Sequence, residues 1–336
     1  MPRLTAADER LAHQIPEPLP NVVSRHEHWR ESYFFVMHPP EGTAGDVVIV
    51  TMATYPFSER LDSYQMGRMG GAFVFALHER PYGDDPHATV VGPVTVDVAE
   101  PYRTVRVQVL GEGASPELDL VFSARTAPYG MRRGTMKRGD EIIWDQSQMI
   151  QSGWFDGWYS HGGERREVRR WWGQRDHSWG IRDHVRCPMW MWLALQFPDG
   201  MLGIWHWELA DGSRVFTDGC FAPADGSEPT PVVDFRHDLS WLGEDGEPCS
   251  YGRDGLGVRG LGGTVDVTLA GSPEEAGPLV VTARGTWAMP YGPRGGGQHL
   301  CEVATSDGRE GNGVIEITGA HHHRFFPVPR AERLPT

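Results

Sequence analysis

Short apolar runs separated by turn-forming residues occupy almost the whole chain, and this pattern limits the possible folds more than any other feature. The runs are rich in Val, Phe, Tyr and Thr, and clusters of Gly, Pro and Asp such as residues 39–42 and 82–86 separate them. β-Branched and aromatic residues favour strands, whereas Gly, Pro and Asp favour turns. Few segments have an apolar period of 3.6 residues, so little helix is expected. The chain is therefore predicted to be all-β, with short antiparallel strands.

The predicted strands cover both halves of the chain, and the second half adds hairpin turns with Asp-Gly at residues 199–200 and 211–212. A length of 336 residues suits two domains. We predict an N-terminal arm at residues 1–20, a first β domain at 21–165 and a second at 166–336, with the passage between domains near 160–170. The predicted strands are residues 32–37, 46–54, 71–78, 89–98, 104–110, 117–126, 167–172, 189–197, 201–209, 214–221, 232–242, 264–269, 279–287, 300–305 and 313–318.

The charge of the chain excludes some classes of partner. Its 31 Lys and Arg residues against 45 Asp and Glu give a net charge of -14, which disfavours nucleic acid and anionic lipid surfaces. No apolar run is long enough for a signal peptide or a membrane span, so we expect a cytoplasmic protein without membrane insertion. The four cysteines form no Cys-x-x-Cys pair and are expected to be reduced thiols. Lys137 is the single lysine, a bias typical of a GC-rich bacterial genome.

Residues 171–183 concentrate the side chains that can carry chemistry. They include two arginines, two aspartates, a histidine, a serine and three tryptophans. On an extended strand Arg175, His177 and Trp179 share one face, and Asp176 and Ser178 share the other. One face would then place an imidazole beside an indole. The alternative is that the charged residues tie down a loop while the indoles fill the core.

A second unusual strand, residues 203–209, alternates Trp205 and Trp207 on one face with His206 and Glu208 on the other. If the polar face points into a barrel, His206 and Glu208 become candidates for acid–base chemistry, for which histidine and a carboxylic acid with a raised pKa are common choices. If the indoles point inward, the polar face meets solvent. The sequence leaves both orientations open.

Metal and nucleotide motifs are weak or absent in the sequence. His26, His28 and residues 321–323 lack the spacing of a zinc site. The chain has no Gly-x-Gly-x-x-Gly turn, no phosphate loop and no Gly-x-Ser-x-Gly elbow. We therefore predict neither a metal site nor an organic cofactor.

The run Gly173-x-Arg175-Asp176-His177-Ser178-Trp179-Gly180-x-Arg182 resembles the Asp-His-x-Trp motif of AttH-like and carotenoid 1,2-hydratase-like proteins. This resemblance implies two lipocalin-like β-barrels side by side, with His177 and Trp179 in the site. It also implies hydration of a terpenoid double bond by an acid, without a metal or an organic cofactor. The hydratases use a Tyr-x-Asp pair as well, and residues 204–206 here read Ile-Trp-His. The acid would then be His206, Glu208 or Asp176.

Together these features predict a hydratase, lyase or isomerase that acts by acid–base chemistry on a terpenoid, steroid or lipid-like molecule in an aromatic pocket. Aromatic faces stabilise a carbocation, and a nearby acid supplies the proton. One alternative is a non-catalytic carrier of a hydrophobic small molecule, because barrels of this type are binding folds, and another is a structural domain. The predicted catalytic residues are Asp176, His177, His206 and Glu208, and the predicted substrate-binding residues are Arg175, Trp179, Arg182, Trp192, Trp205 and Trp207.

Overall fold

The computed structural model describes residues 4–11, 13, 26–83, 85, 87–111, 116–186, 189–252, 254–292 and 295–319. Strands make up 65% of the described residues and form two barrel-like antiparallel sheets. This confirms the all-β, lipocalin-like prediction. The chain divides into two compact units, of which the first ends at Arg186 and the second follows it and includes residues 40–45. None of the described residues belongs to a helix long and apolar enough to cross a membrane.

The first unit contains a twelve-stranded sheet in the order β4-β3-β2-β1-β12-β11-β8-β7-β6-β5, with β9 and β10 also paired to β11. The strands are β1 (Trp29–His38), β2 (Val47–Tyr55), β3 (Arg60–Met69), β4 (Ala72–Pro81), β5 (Val90–Val91), β6 (Val94–Glu100), β7 (Thr104–Val109), β8 (Glu117–Ala124), β9 (Tyr129–Gly130), β10 (Gly134–Arg138), β11 (Glu141–His161) and β12 (Glu164–Arg182).

The two edges of this sheet come close together without forming a ladder. Arg80 of β4 donates hydrogen bonds to the carbonyls of Val90 at 2.6 Å and of Ala88 at 2.8 Å. A guanidinium group thus supplies donors where backbone pairing ends, and the barrel is nearly closed. Its inward-facing side chains form one apolar cluster that includes Phe35, Phe122 and Phe155. Burial of each such side chain contributes roughly 1.5–3 kcal/mol to stability.

The second unit contains a nine-stranded sheet in the order β16-β15-β14-β13-β21-β20-β19-β18-β17, and a β16–β18 pairing closes it into a barrel. Its interior holds Trp241, Tyr251 and Trp287 within a second apolar cluster. The strands are β13 (Met189–Phe197), β14 (Gly200–Glu208), β15 (Arg214–Pro223), β16 (Thr230–His237), β17 (Ser240–Leu242), β18 (Gly260–Leu269), β19 (Leu279–Pro290), β20 (Gly296–Thr305) and β21 (Glu310–Thr318).

The structure departs from the sequence predictions in several places. β3, Arg60–Met69, was not predicted, because its mixture of Arg, Asp, Ser and Gln gives no clear strand signal. The strands β9, β10 and β11 were not predicted either. Residues 161–164 form a turn that joins β11 and β12 in a long hairpin inside the first unit, and the units separate after Arg186 rather than at residues 160–170. Ala6–Glu9 form a 3₁₀ turn.

Candidate functional site

His177 lies on the inner face of the first barrel and is fully buried. Antiparallel pairing places it opposite Tyr33 of β1, and it places Trp179 opposite Glu31. Paired residues point to the same face of a sheet, so these four side chains lie together. The Nε2 atom of His177 is 2.9 Å from Oε1 of Glu31, and Nδ1 is 2.8 Å from the carbonyl oxygen of Asp8.

These contacts determine where the protons of the pair lie. A carbonyl oxygen only accepts hydrogen bonds, so Nδ1 of His177 carries a proton and donates it to Asp8. Burial alone would raise the pKa of Glu31, but hydrogen bonds from His13 and His177 hold that pKa below its ordinary value. Glu31 is therefore an ionised acceptor, and the contact at Nε2 is a hydrogen bond only if Nε2 also carries a proton. With a proton on Nδ1 as well, a hydrogen bond at Nε2 requires the imidazolium form of His177.

His13 and two aromatic rings complete the surroundings of His177. The Nδ1 atom of His13 is 2.6 Å from the same Glu31 oxygen. The His13 ring lies 5.0 Å from the His177 ring, and the rings of Tyr33 and Trp179 lie 4.8 and 5.3 Å from it, between centroids. Aromatic faces at this range stabilise a cation. The predicted grouping of an imidazole with Trp179 on one face is thus observed.

Arg175, on the same face, binds the N-terminal segment Thr5–His13. Its guanidinium forms a bidentate ion pair with Glu9, which is also fully buried. Glu9 accepts a further bond from the backbone N–H of Tyr102 at 2.7 Å, and the hydroxyl of Tyr33 donates to the Glu9 carbonyl at 2.6 Å. Arg175 therefore holds the chain's own segment against the inside of the barrel.

Asp176 and Arg182 lie on the opposite face of β12, as the strand alternation predicts. Asp176 accepts hydrogen bonds from Gln148 at 3.0 Å and from Ser178 at 3.2 Å. Arg182 is buried, and burial together with the neighbouring charge of Arg30 lowers its pKa to about 9. Neither residue shares the barrel interior with His177, and their contacts are those of a buried polar network.

Gly180 of the motif has a structural role. Its φ of 137° is in a region that side chains disfavour, and a Cβ atom there would lie 1.9 Å from the carbonyl oxygen of Asp145 on β11. Glycine is required here because the two backbones approach so closely.

His206 and Glu208 lie in the second unit and point to its interior. The Nε2 atom of His206 is 2.9 Å from Oε1 of Glu208, and its Nδ1 is 2.6 Å from the hydroxyl of Thr217 on β15. Phe235 packs 4.7 Å from the His206 ring, and His237 of β16 brings its Nε2 to 3.4 Å from the same Glu208 oxygen. The orientation left open by the sequence is thus resolved: the polar face of β14 is the inner one.

Trp192, Trp205 and Trp207 lie on the other face of the second sheet. Pairing places Trp192 opposite Trp205, and the rings of Trp205 and Trp207 are 4.6 Å apart. Both rings also contact Phe216. These indoles thus lie on the face opposite His206 and Glu208, as the strand alternation predicts.

The sequence analysis did not identify the residues that His177 contacts. Glu31 carried a usable signal, because a carboxylate stands among the aromatic residues on the apolar face of β1. Glu9 and His13 carried none, since nothing local shows that their segment binds inside the barrel. Of the histidines considered as metal ligands, His26 and His28 belong to neither His–carboxylate cluster, and residues 321–323 lie outside the described residues.

The two barrel-like sheets give this chain a double-barrel fold. Several solved structures are similar to it in fold. An AttH-like protein from Nitrosomonas europaea is 14% identical, with a TM-score of 0.53, covering 88% of this chain and 94% of its own. Kievitone hydratase from Nectria haematococca is 10% identical with a TM-score of 0.50, covering 85% and 88%. The protein CghA is 11% identical with a TM-score of 0.51, covering 93% and 96%. At these identities the likeness is one of fold.

The chain belongs to a family of unknown function, DUF8625, whose sequence model matches residues 4–240. That range includes the N-terminal segment, the motif around His177 and the pair His206 and Glu208. No curated protein matches the sequence.

Proposed function

We propose that this protein is an acid–base catalyst of the hydratase or isomerase type, acting on a hydrophobic alkene with His177 as the proton donor. One observation carries this proposal: both ring nitrogens of His177 face hydrogen-bond acceptors, Asp8 and Glu31, beside the rings of Tyr33 and Trp179. An imidazolium held in this way has a proton to transfer to a substrate.

The reaction begins when His177 gives a proton to one carbon of the substrate double bond, which leaves a carbocation on the other carbon. The rings of Trp179 and Tyr33 stabilise that cation by about 0.5–2 kcal/mol each. Water then adds to the cation and loses a proton to the imidazole, which yields the alcohol. Loss of a proton from a neighbouring carbon of the cation instead yields an alkene with a shifted double bond.

Glu31 has two roles in this scheme. Its carboxylate keeps the imidazolium charged before the reaction, and it orients the ring through Nε2. His13 shares the same oxygen and can take part in returning the proton. Asp8 contacts His177, and Glu9 contacts Arg175. Substrate therefore reaches the imidazole only after the Thr5–His13 segment moves.

The lining of the barrel supports a hydrophobic substrate. The apolar cluster of the first barrel, to which Tyr33 belongs, is made mainly of Phe, Val, Leu and Met side chains, which suits a terpenoid, steroid or lipid-like molecule. The presence of a named hydratase among the proteins of similar fold supports the reaction class.

The direct experiment incubates the protein with a panel of terpenoid and steroid alkenes in heavy-oxygen water and follows label uptake and double-bond position. His177→Ala should lower turnover by about 10² to 10⁴, the usual effect of removing a positioned acid or base. His87→Ala, at an exposed loop histidine, is the matched control and should keep full turnover. Equal turnover in wild type and His177→Ala would overturn the assignment.

A carrier function is the second candidate, and it is favoured by the cover of the N-terminal segment over an apolar interior. A carrier would bind several members of the panel tightly and turn none over. His177→Ala would then change affinity by about 1 kcal/mol, the usual cost of one polar contact, while apolar burial would still drive binding.

A further inference from the structure

A second histidine–carboxylate cluster lies in the other unit. His206 and Glu208 stand two residues apart on β14, and His237 ends the facing strand β16. One ligand atom from each residue lies within 4.8 Å of the other two. All three side chains are at most 8% exposed, at the end of the barrel where the Asp211–Gly212 turn follows β14.

The spacing of the three donor atoms fits a metal ion. Imidazole nitrogens and carboxylate oxygens bind Zn²⁺ at about 2.0–2.2 Å, so neighbouring donors around one ion stand about 2.9–3.5 Å apart. The Oε1 atom of Glu208 is 2.9 Å from Nε2 of His206 and 3.4 Å from Nε2 of His237. Both distances fall within that range.

The cluster around Glu31 has this spacing at only one of its two histidines, where Nε2 of His177 is 2.9 Å from Oε1 of Glu31. There Nδ1 of His13 is 2.6 Å from the shared carboxylate oxygen, and the backbone N–H of His13 also donates to that oxygen. A separation of 2.6 Å is a charge-assisted hydrogen bond, and it leaves no room for an ion between the two atoms. The two clusters thus have the same residue types but different chemistry.

The groups that surround the three donor residues in the second unit also fit a metal site. Metal-binding histidines use the second ring nitrogen to hydrogen-bond a neighbour, which fixes the tautomer. Nδ1 of His206 is 2.6 Å from the hydroxyl of Thr217, so Nε2 can present its lone pair to an ion. Arg214, the nearby cation, is paired with Asp234 at 2.6 Å, which reduces its repulsion of a metal.

We propose that His206, Glu208 and His237 bind one divalent transition-metal ion, with the remaining coordination positions open to water or to a small ligand. Two imidazoles and one carboxylate are the donor set of open zinc and non-haem iron sites. This site is in the second unit and is independent of the proton transfer assigned to His177. It differs from the sequence-based expectation of no metal, which rested on motif spacing. The third donor, His237, is distant in sequence and reaches Glu208 through the closure of the barrel.

The test uses the full chain, freed of any affinity tag and dialysed against a chelator. Titration with Zn²⁺ and with Co²⁺, followed by calorimetry and by the visible spectrum of cobalt, should show one ion per chain. Glu208→Gln and His237→Ala should abolish that ion. Thr217→Val removes the hydroxyl that contacts Nδ1 of His206. It should weaken metal binding by about 10- to 100-fold, the usual effect of losing a hydrogen-bond partner of a metal ligand.

His13→Ala, which alters the other cluster, is the matched control and should leave the stoichiometry at one. A folded wild type that binds no ion would overturn the proposal. The proposal would also be overturned if Glu208→Gln and His237→Ala still bound the ion and His13→Ala did not. That result would place the ion at Glu31. Should the ligand variants unfold, the wild-type stoichiometry and the Thr217→Val affinity still decide the matter.

Discussion

Glu9 and Arg175 are 166 residues apart in the sequence and form a bidentate ion pair with neither side chain exposed to solvent. The pair joins the N-terminal segment to the centre of the motif strand. It gives the arginine on the inner face of β12 a counter-charge from a distant part of the sequence.

The first prediction concerns this pair. Glu9→Gln leaves the Arg175 guanidinium buried without its counter-charge, and breaking a buried pair in this way costs about 3–5 kcal/mol. The free energy of unfolding, measured with denaturant, should fall by that order. Glu100→Gln, which breaks the exposed pair with Arg103, is the control and should change it little. An equal effect of the two substitutions would mean that the segment is not held inside the barrel.

The second prediction concerns the motif glycine. Gly180→Ala places a Cβ against the backbone of Asp145 in a conformation that alanine disfavours, so β11 and β12 must separate. Gly162→Ala is the comparison, because Gly162 also has a positive φ but has open space around it. Gly162→Ala should lower the free energy of unfolding by about 1–2 kcal/mol. Gly180→Ala should lower it clearly more. Thermal unfolding of the two variants measures the difference.

The third prediction is a loss of stability in mild acid. Burial lowers the pKa of His38 to about 4 and that of His299 to about 3. The unfolded chain therefore binds more protons than the folded chain below about pH 6.5, and stability falls as the pH drops from there towards 4 and 3. Each histidine should account for about 2 kcal/mol at pH 5. His299→Phe should reduce by one the number of protons that the chain takes up on unfolding. His87→Ala should leave that number unchanged.

The sequence predicted those features that depend on local pattern. Alternating apolar residues and turn clusters identified most strands, and the period of two placed His177 and Asp176 on opposite faces. Contacts between distant segments left no such pattern. The ion pair of Glu9 with Arg175 and the approach of His237 to Glu208 both arise from barrel closure, which brings residues together without any signature in the residues between them.

The strand β3 shows the other reason for failure. Its inner face carries Ser63 and Gln65, which are buried because they bond to each other and to the Thr51 carbonyl. A hydrogen-bonded polar pair can stand inside a barrel, but in a sequence it looks like a solvated loop. Polar residues in barrel interiors are therefore where pattern-based assignments fail, and here they are also where the candidate sites lie.

The central claim is that Glu31 and the Asp8 carbonyl hold His177 as an imidazolium. Nitrogen NMR of protein labelled at histidine measures it directly, with His177→Gln used to assign the resonances. At neutral pH both ring nitrogens of His177 should carry a proton in the wild type, and Glu31→Gln should leave a proton only on Nδ1. A wild-type ring that carries a single proton would contradict the account.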